Sequence, residues 1–307
     1  MRNTFISKLC DLAKDHDDVF LLSGDLGYSV LEPFKEQFPE RFLNVGIAEQ
    51  NMTQVAVGLA MEGFNVFTYS IGNFPTLRCM EQIRYDVCYH KANVKIVAVG
   101  AGYAYGSQGV SHHTTEDIAM MRSIPGMMIC SPADTAEAEA SASFMVNHTG
   151  PGYVRLNKSG EVCLHNLSHK LNFTFGKFIE LLHGAETLVL ATGAITSTVL
   201  DEVKKNSLGW AVWSSPFIGS YDEGSMIDIA NCFKNVVTVE EHQLNGGFGS
   251  SLVEQFSDLF AVGKIKRMPR VQRVGIPNIF LGKSGTQENL RATAGITICG
   301  ITLVDGK

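Results

Sequence analysis

Short apolar runs rich in β-branched residues alternate along this chain with longer amphipathic stretches. The run Thr187-Leu-Val-Leu-Ala, followed by helical periodicity over 197–205, is one example. Such runs indicate buried parallel strands, because crossover helices cover both faces of a parallel sheet. The pattern therefore predicts an α/β fold with a mostly parallel sheet. In the first half we predict strands over 19–23, 42–45, 66–69, 94–99, 127–130 and 153–156. We predict helices there over 3–15, 48–62, 78–90 and 133–147.

The alternation breaks in the middle of the chain. A polar, irregular stretch, Asn157-Lys-Ser-Gly-Glu, is followed by weak periodicity to about Gly184, which is typical of a linker between domains. The alternation then restarts, with a further strand predicted over 235–239 and a helix over 250–260. We predict a first domain over 1–160, a linker over 161–184 and a smaller α/β domain over 185–307.

Charge and composition argue against several kinds of protein. The formal charge is −6 and the Lys and Arg residues are scattered, whereas sequence-independent binding of nucleic acid needs clustered basic residues that displace counterions. No stretch approaches the roughly 18 apolar residues of a membrane span. Near the start, Asp11, Lys14 and Asp15 interrupt any apolar region of a signal peptide. We expect a cytoplasmic protein that binds neither nucleic acid nor membrane.

The cysteines are widely spaced, and no pair has the C-x-x-C spacing of zinc or redox sites. We therefore expect reduced, mostly buried thiols, and we predict no metal ligands in this chain. The seven are Cys10, Cys79, Cys88, Cys130, Cys163, Cys232 and Cys299.

The most informative segment is Phe42-Leu-Asn-Val-Gly-Ile-Ala-Glu-Gln-Asn, in which a predicted strand ends and Glu49 falls in the first turn of a helix. Acidic residues in first turns commonly do no more than complement the positive end of the helix dipole. The alternative is a buried carboxyl group with a chemical task. The small residues Ala56, Gly58 and Ala60 would let a neighbouring helix approach closely, so Glu49 could be buried at a subunit contact.

This segment strongly resembles the one that carries the catalytic glutamate of transketolases, deoxyxylulose-phosphate synthases and the beta subunits of 2-oxoacid dehydrogenases. The resemblance covers nearly the whole chain, with the motifs in family order. It implies a pyrimidine-binding domain of the thiamin-diphosphate fold, followed by a smaller α/β transketolase C-terminal domain, in dimers or heterotetramers. The further motifs are Glu62-Gly-Phe-Asn-Val-Phe-Thr-Tyr-Ser, Arg78-Cys-Met-Glu-Gln-Ile-Arg-Tyr-Asp, Gly106-Ser-Gln-Gly-Val-Ser-His-His, Glu116-Asp-Ile-Ala-Met-Met-Arg-Ser-Ile-Pro-Gly, Ser131-Pro-Ala-Asp, Leu190-Ala-Thr-Gly, Val239-Glu-Glu-His and Gly246-Gly-Phe-Gly.

The resemblance assigns catalysis to Glu49 and to His112. In this family a carboxyl group bonded to a pyrimidine nitrogen drives the proton shift that makes thiamin diphosphate a nucleophile, and a buried glutamate suits that exchange. The resemblance also implies that Phe74, Arg78 and Gln82 bind the cofactor together with Glu49.

The aromatic wall of the expected cofactor pocket departs from the family pattern. Aligned without gaps against transketolases, Gly72 and Pro75 fall where ring-stacking phenylalanines are usual. Phe74 is the remaining candidate for that wall. The alternative is that Phe74 is an ordinary core residue, as most phenylalanines are.

His112 and His113 follow a glycine-rich loop that the resemblance places over the thiazolium side of the cofactor. His112 matches the histidine that faces the bound sugar. An imidazole that titrates near neutral pH can relay protons or stabilise the oxygen of a carbonyl under attack. As a metal pair the two histidines would lack a third ligand at a recognisable spacing. In isolation they would be read as loop histidines in solvent.

Four other positions bear on the substrate. Gln108 falls where many transketolases carry an aspartate that reads a substrate hydroxyl, and Gly100 falls where they carry a phosphate-contacting histidine. Arg2 and Arg155 match phosphate-binding arginines, and guanidinium groups bind planar oxyanions through paired hydrogen bonds. Either could instead be an ordinary surface arginine. We expect substrate contacts from Arg2, Gln108, His112, His113 and Arg155. These residues leave open whether the substrate carries an anionic group.

One family motif is missing from the chain. Members that hold the diphosphate through Mg²⁺ use Gly-Asp-Gly followed by Asn, a hard-oxygen arrangement suited to that ion. The nearest string, Ser23-Gly-Asp-Leu-Gly, matches the pyrimidine domain's own pattern instead. We therefore expect Mg²⁺ and the diphosphate of thiamin diphosphate to be held mainly by a separate N-terminal subunit carrying Gly-Asp-Gly, in a dimer of heterodimers.

The sequence thus predicts the C-terminal, beta-like subunit of a split transketolase, which moves a two-carbon ketol unit between a ketose and an aldose, with sugars or sugar phosphates as substrates. One alternative is a 2-oxoacid decarboxylating subunit, either synthase or dehydrogenase. Another is a non-catalytic scaffold subunit. Glu49 and His112 argue against the scaffold, while Gly72, Pro75 and Gly100 leave it open.

Overall fold

The computed structural model of the chain describes residues 1–158, 160–165 and 171–298. In this part of the chain no helix is long and apolar enough to cross a membrane. The strands are β1 (Val19–Ser23), β2 (Phe42–Asn44), β3 (Asn65–Ile71), β4 (Val94–Val99), β5 (Met128–Cys130), β6 (Gly152–Leu156), β7 (Ile179–Leu182), β8 (Thr187–Ala191), β9 (Ala211–Ser214), β10 (Phe217–Ile218), β11 (Asn235–Gln243) and β12 (Arg270–Ile276). The helices are α1 (Arg2–Leu12), α2 (Glu32–Gln37), α3 (Glu49–Met61), α4 (Met80–Gln82), α5 (Asp117–Arg122), α6 (Thr135–Asn147), α7 (Ile195–Lys205), α8 (Glu223–Cys232), α9 (Phe248–Ala261) and α10 (Gln287–Thr293).

The strands form two sheets that are mostly parallel. The first has the order β10-β5-β6-β4-β3-β1-β2, and the second has the order β12-β11-β8-β9-β7. Among the described strands, β10 pairs antiparallel with β5 and β7 pairs antiparallel with β9, while the other pairings are parallel. The predicted α/β fold, with a mostly parallel sheet and a smaller second α/β domain, is confirmed.

The predicted helix over 78–90 is built from three kinds of turn. It starts as a 3-10 turn (Leu77–Cys79), passes through α4 and ends as a π-helix (Ile83–Tyr89). π-helical turns are rare and occur often at functional sites.

Helices cover both faces of the first sheet. On one face α1 and α6 pack together, with Phe5, Leu9 and Met145 fully buried. On the other face α3 and the π-helix bury Met52 and Ile83. Burying one such side chain stabilises the fold by about 1.5–3 kcal/mol. The apolar cluster around Met52 continues into the second domain, through Leu188, Met226 and Phe248.

The second sheet begins earlier than the sequence indicates. The strand β7 lies inside the predicted linker, 161–184, and pairs with β9. It is an edge strand in which Glu180 is exposed and the following leucines are half-buried, so its periodicity is weak. The linker is therefore shorter than predicted at its end. Residues 166–170 of the linker and 299–307 of the second domain, including Cys299, lie outside the described residues.

Polar contacts at the start of α6 fasten the linker to the first domain. Asp134 accepts hydrogen bonds from the main-chain nitrogens of Glu137 and Leu164 at 2.9 and 2.6 Å. Glu137 accepts a 2.8 Å bond from Ala133 N, and its other oxygen lies 3.0 Å from His165 Nε2. Asp134, Glu137 and His165 have the ligand types of a metal site. Each carboxylate oxygen already has a hydrogen-bond partner, so we interpret the three residues as a polar cluster that holds the linker against the first domain.

This polar cluster predicts that the free energy of unfolding depends on pH. Burial is the largest effect and favours the neutral form of His165. The hydrogen bond to Glu137 and the negative charges of Glu137 and Asp134 together outweigh burial and raise the pKa of His165. Because the folded pKa lies above the unfolded value of about 6.5, this stabilisation is complete below that pH and is lost as the pH rises through the folded pKa. Urea titrations at about pH 6 and about pH 9 measure the free energy of unfolding. From the lower to the higher pH we expect this free energy to fall more in the wild type than in His165→Gln. Equal decreases in the two proteins would contradict a stabilising role of the His165 cluster.

Candidate active site

Glu49 is the first residue of α3 and follows the end of β2. Its side chain is only 1% exposed. The carboxylate Oε2 accepts a 2.7 Å hydrogen bond from Arg78 Nη1. Thr53 Oγ1 donates a 2.9 Å bond to the main-chain oxygen of Glu49 and so fixes the first turn. A carboxylate that only complemented the helix dipole would remain in solvent, so this burial beside a guanidinium marks Glu49 as a candidate functional group.

Three further residues extend from Glu49 in a line of contacts. The Arg78 guanidinium carbon lies 5.0 Å from the centroid of the Phe74 ring, in cation–π contact. Phe74 then meets His112 edge-on, with ring centroids 5.3 Å apart. The structure therefore brings four of the predicted residues into one cluster at the carboxyl ends of the first sheet's strands, the edge at which open α/β sheets bind ligands.

The cluster offers hydrogen-bonding atoms without partners. Within the described residues, Glu49 Oε1 accepts no hydrogen bond. The buried Oε1 of Gln82, one turn beyond Arg78, has no partner either. Buried polar atoms are nearly always hydrogen-bonded, so these two suit a polar ligand. An aminopyrimidine has ring nitrogens and an amino group for such atoms and a flat face for Phe74. The residues present thus fit the pyrimidine end of thiamin diphosphate.

The two neighbouring histidines have different surroundings. His112 is half-buried, and its Nδ1 lies 3.0 Å from Ser111 Oγ, which leaves Nε2 for another partner. His113 is buried against Tyr103, with ring centroids 5.0 Å apart, and its Nε2 has no partner. Burial lowers the pKa of His113, so its imidazole is neutral at pH 7. His112, and not His113, contacts Phe74.

Two departures from the transketolase pattern have a steric cause. A Cβ atom at Gly72 would lie 2.1 Å from Thr114 Oγ1. At Gly100, where φ is +100°, a Cβ would lie 2.2 Å from the Tyr105 ring. Tyr105 therefore occupies the space of the histidine that many transketolases carry at this position.

Tyr105 and Lys158 lie beside the candidate site and are not predicted from the sequence. The Tyr105 ring lies 6.4 Å from His112. On its face, Lys158 Nζ lies 5.3 Å from the ring centroid. The available signal was the tyrosine inside the glycine-rich loop, whereas Lys158 reaches it from the end of β6, so only the fold shows the contact.

Arg155 has a structural role instead of the predicted substrate contact. Its side chain is 2% exposed, and Nε donates a 2.7 Å bond to Asp117 Oδ2. Nη2 donates to the main-chain oxygens of Thr114 and Glu241 at 2.9 and 3.0 Å. Burial is the largest effect and favours the neutral form of Asp117. The charge and hydrogen bonds of Arg155, together with smaller contributions from His242 and Tyr153, outweigh it and lower the pKa of Asp117. Because Glu241 belongs to the second domain, the guanidinium joins the two domains and is closed to a substrate.

Arg2 and Gln108 remain candidate substrate ligands. Arg2 lies in the first turn of α1, and its buried Nε has no hydrogen-bond partner. Burial raises the pKa of the Tyr69 hydroxyl, and the charge of the nearby Arg2 acts against this rise. Gln108 ends a surface turn and is exposed. Arg2 thus offers an unused donor to an anion.

Comparison with known proteins identifies both domains. Residues 1–160 match the family described as transketolase, pyrimidine binding domain, and residues 176–301 match transketolase, C-terminal domain. A protein of Methanocaldococcus jannaschii named putative transketolase C-terminal section is 34% identical over 94% of this chain and 90% of its own length. The 6-deoxy-6-sulfo-D-fructose transketolase subunit SqwH of Clostridium sp. strain MSTE9 is 32% identical over 97% of this chain and 90% of its own length.

The same relationship holds for the fold. A solved structure described as a split gene transketolase, inactive beta4 tetramer, superposes with a TM-score of 0.83 at 31% identity, over 96% of this chain and 93% of that one. Both domains therefore match in sequence and in structure. The chain belongs to the transketolase family, whose members depend on thiamin diphosphate, and it carries that family's pyrimidine-binding and C-terminal domains.

Proposed function

We propose that this chain is the C-terminal subunit of a split transketolase, which transfers a two-carbon ketol unit from a ketose to an aldose. The observation that carries the proposal is the buried Glu49 bonded to Arg78, in line with Phe74 and His112. Relatives that match this chain over nine-tenths of their length are named as a transketolase section and a transketolase subunit, which supports a split arrangement.

Each residue of the cluster has a separate task in this proposal. Thiamin diphosphate supplies, when bound, the carbon nucleophile that takes up and releases the two-carbon unit. Glu49 would hold the pyrimidine end through Oε1 and exchange a proton there, while Arg78 keeps Oε2 in place. Phe74 supplies an apolar wall, and the Gln82 amide offers its unpartnered oxygen.

His112 serves the substrate side. With Nδ1 beside Ser111, Nε2 is free to donate to the carbonyl oxygen of the aldose or to take the proton of a ketose hydroxyl. We expect His112→Ala to lower kcat by about 10²-fold, the usual loss when one such group is removed. Steady-state kinetics of the assembled complex measure the loss, and His183→Ala, at a 93% exposed histidine, serves as the matched control. Equal kcat for the two variants would remove His112 from the mechanism.

A second subunit completes the site. We propose that it is an N-terminal subunit with a Gly-Asp-Gly motif that holds the diphosphate and Mg²⁺, and that two pairs assemble as a dimer of heterodimers in the cytoplasm. The lack of that motif in this chain supports the division of labour. The similar split-gene structure, described as an inactive beta4 tetramer, is consistent with a chain of this kind needing a partner for activity.

An anionic ketose is the proposed donor. Arg2 has an unpartnered Nε, and Lys158 lies over the Tyr105 ring beside His112. The Clostridium relative is named for 6-deoxy-6-sulfo-D-fructose, which carries a sulfonate. The test offers the assembled complex ketoses with a terminal sulfonate or phosphate, neutral ketoses, and pyruvate. We expect thiamin-diphosphate-dependent two-carbon transfer from an anionic ketose. Carbon dioxide release from pyruvate in its place would indicate the 2-oxoacid decarboxylating alternative.

A further inference from the structure

A groove of about 970 Å³ lies at the amino-terminal ends of strands in the first sheet, opposite the Glu49 cluster. The end of the π-helix (Ile83–Tyr89) forms one wall, and the loops that precede β5 and β6 form the others. The strands β4, β5 and β6 begin at this edge, whereas Glu49, Phe74 and His112 follow strand ends at the other edge. The groove is therefore separate from the candidate active site, although one helical segment, Leu77–Tyr89, connects the two.

Exposed apolar side chains run along that helical segment. Leu77 is 48% exposed beside the active-site end, and Tyr85 and Tyr89 are 52% and 79% exposed on the groove wall. The Arg84 guanidinium lies 4.7 Å from the centroid of the Tyr85 ring. Soluble proteins rarely leave such residues exposed in a row unless a partner covers them, and tyrosine is enriched in the cores of protein interfaces.

The groove is positively charged in a chain whose net charge is −6. Its lining contains the cations Arg84 and Lys91, and none of the described residues that line it is acidic. This charge complements an apolar segment flanked by acidic residues.

We propose that the segment Leu77–Tyr89 and the groove are the docking surface for the diphosphate-binding subunit. The inference rests on the proposed function, since that function requires a second chain to reach Glu49. Arg78 is bonded to Glu49 yet 47% exposed, and Tyr89 lies 11 residues further along. At 1.5 Å per residue the segment extends for about 16 Å. A protein partner that covers roughly 800 Å² spans this length, whereas a small molecule fills the groove alone.

The test pairs two variants with a control, all mixed with the proposed Gly-Asp-Gly subunit. We expect Tyr85→Ala/Tyr89→Ala to weaken binding of that subunit about 30-fold, as for interface tyrosines that carry most of the affinity. We expect Arg84→Glu/Lys91→Glu to slow association and to flatten its dependence on salt. Phe260→Ala/Val262→Ala, at exposed apolar residues at the end of α9, keeps wild-type affinity. Circular dichroism and urea unfolding check that each variant folds.

The outcomes separate the inference from the proposed function. Wild-type affinity for Tyr85→Ala/Tyr89→Ala would overturn the inference, while ketol transfer by the wild-type complex would still support the function. Loss of self-association in sedimentation of the lone chain, with unchanged binding of the partner, would assign the groove to a second copy and also overturn it. If the wild-type chain fails to bind the Gly-Asp-Gly subunit, the inference and the proposed function fail together.

Discussion

Replacing Glu49 by Gln is expected to lower ketol transfer by the assembled complex about 10²- to 10⁴-fold, the range for loss of a positioned proton-transfer group. The glutamine keeps the size of the side chain, and its amide oxygen can still accept the hydrogen bond from Arg78. What it cannot do is exchange a proton. The measurement is kcat at saturating thiamin diphosphate, with assembly of the complex checked by size-exclusion chromatography.

Glu62→Gln is the matched control for this substitution. Glu62 is exposed and follows the last residue of α3, the helix that Glu49 begins. The same chemical change there is expected to leave kcat unchanged. If Glu49→Gln and Glu62→Gln turned over alike, Glu49 would be a structural residue and the proposed mechanism would be wrong.

Replacing Arg155 by Ala is expected to lower the free energy of unfolding by about 3–5 kcal/mol, because it leaves the buried Asp117 carboxylate without its cation. The Tyr153 hydroxyl, 2.6 Å from Asp117 Oδ2, would be its remaining partner. The contact with the main-chain oxygen of Glu241 would be lost as well, so the two domains would be less firmly joined. Urea titration measures the change. Arg267→Ala, at an exposed arginine, is expected to stay within about 0.5 kcal/mol of the wild type.

The pH dependence of this difference provides a second check. The pKa of Asp117 is lowered in the folded wild type, although burial acts the other way, because Arg155 stabilises the carboxylate. A folded pKa below the unfolded value of about 3.9 means that the stabilisation is present above that pH and is lost as the pH falls through the folded pKa. The difference between the wild type and Arg155→Ala should therefore shrink in strong acid. A difference that stayed constant would show that lost packing, not lost charge, causes the destabilisation.

The sequence predicts β1 to β6 of the first sheet and misses strands that depend on a distant partner. Strand β8 contains the continuous apolar run Leu188–Ala191, so its own residues reveal it. In contrast, β10 is two residues long and exists because Phe217 and Ile218 pair with β5 in the first sheet. No local pattern marks such a pairing. The weak periodicity of β7 hid it inside the predicted linker for a related reason, since an edge strand is only partly buried.

The same distinction holds for the candidate site. Glu49, Phe74, Arg78 and His112 could be predicted because each lies in a motif that resembles the family's. Arg155 matches a family position equally well, but a matching position cannot show that a residue is closed off by Asp117 and the second domain. The roles of Tyr105 and Lys158 depend on packing over Gly100 between separate parts of the chain. Such contacts become visible only in the folded structure.

A titration tests whether this chain is half of an enzyme. A fixed amount of this chain is mixed with increasing Gly-Asp-Gly subunit, and two-carbon transfer from a ketose is measured with thiamin diphosphate and Mg²⁺ present. We expect no activity from either chain alone and a rise to a plateau at an equimolar ratio. Full ketol transfer by this chain alone, unchanged by the second subunit, would contradict it.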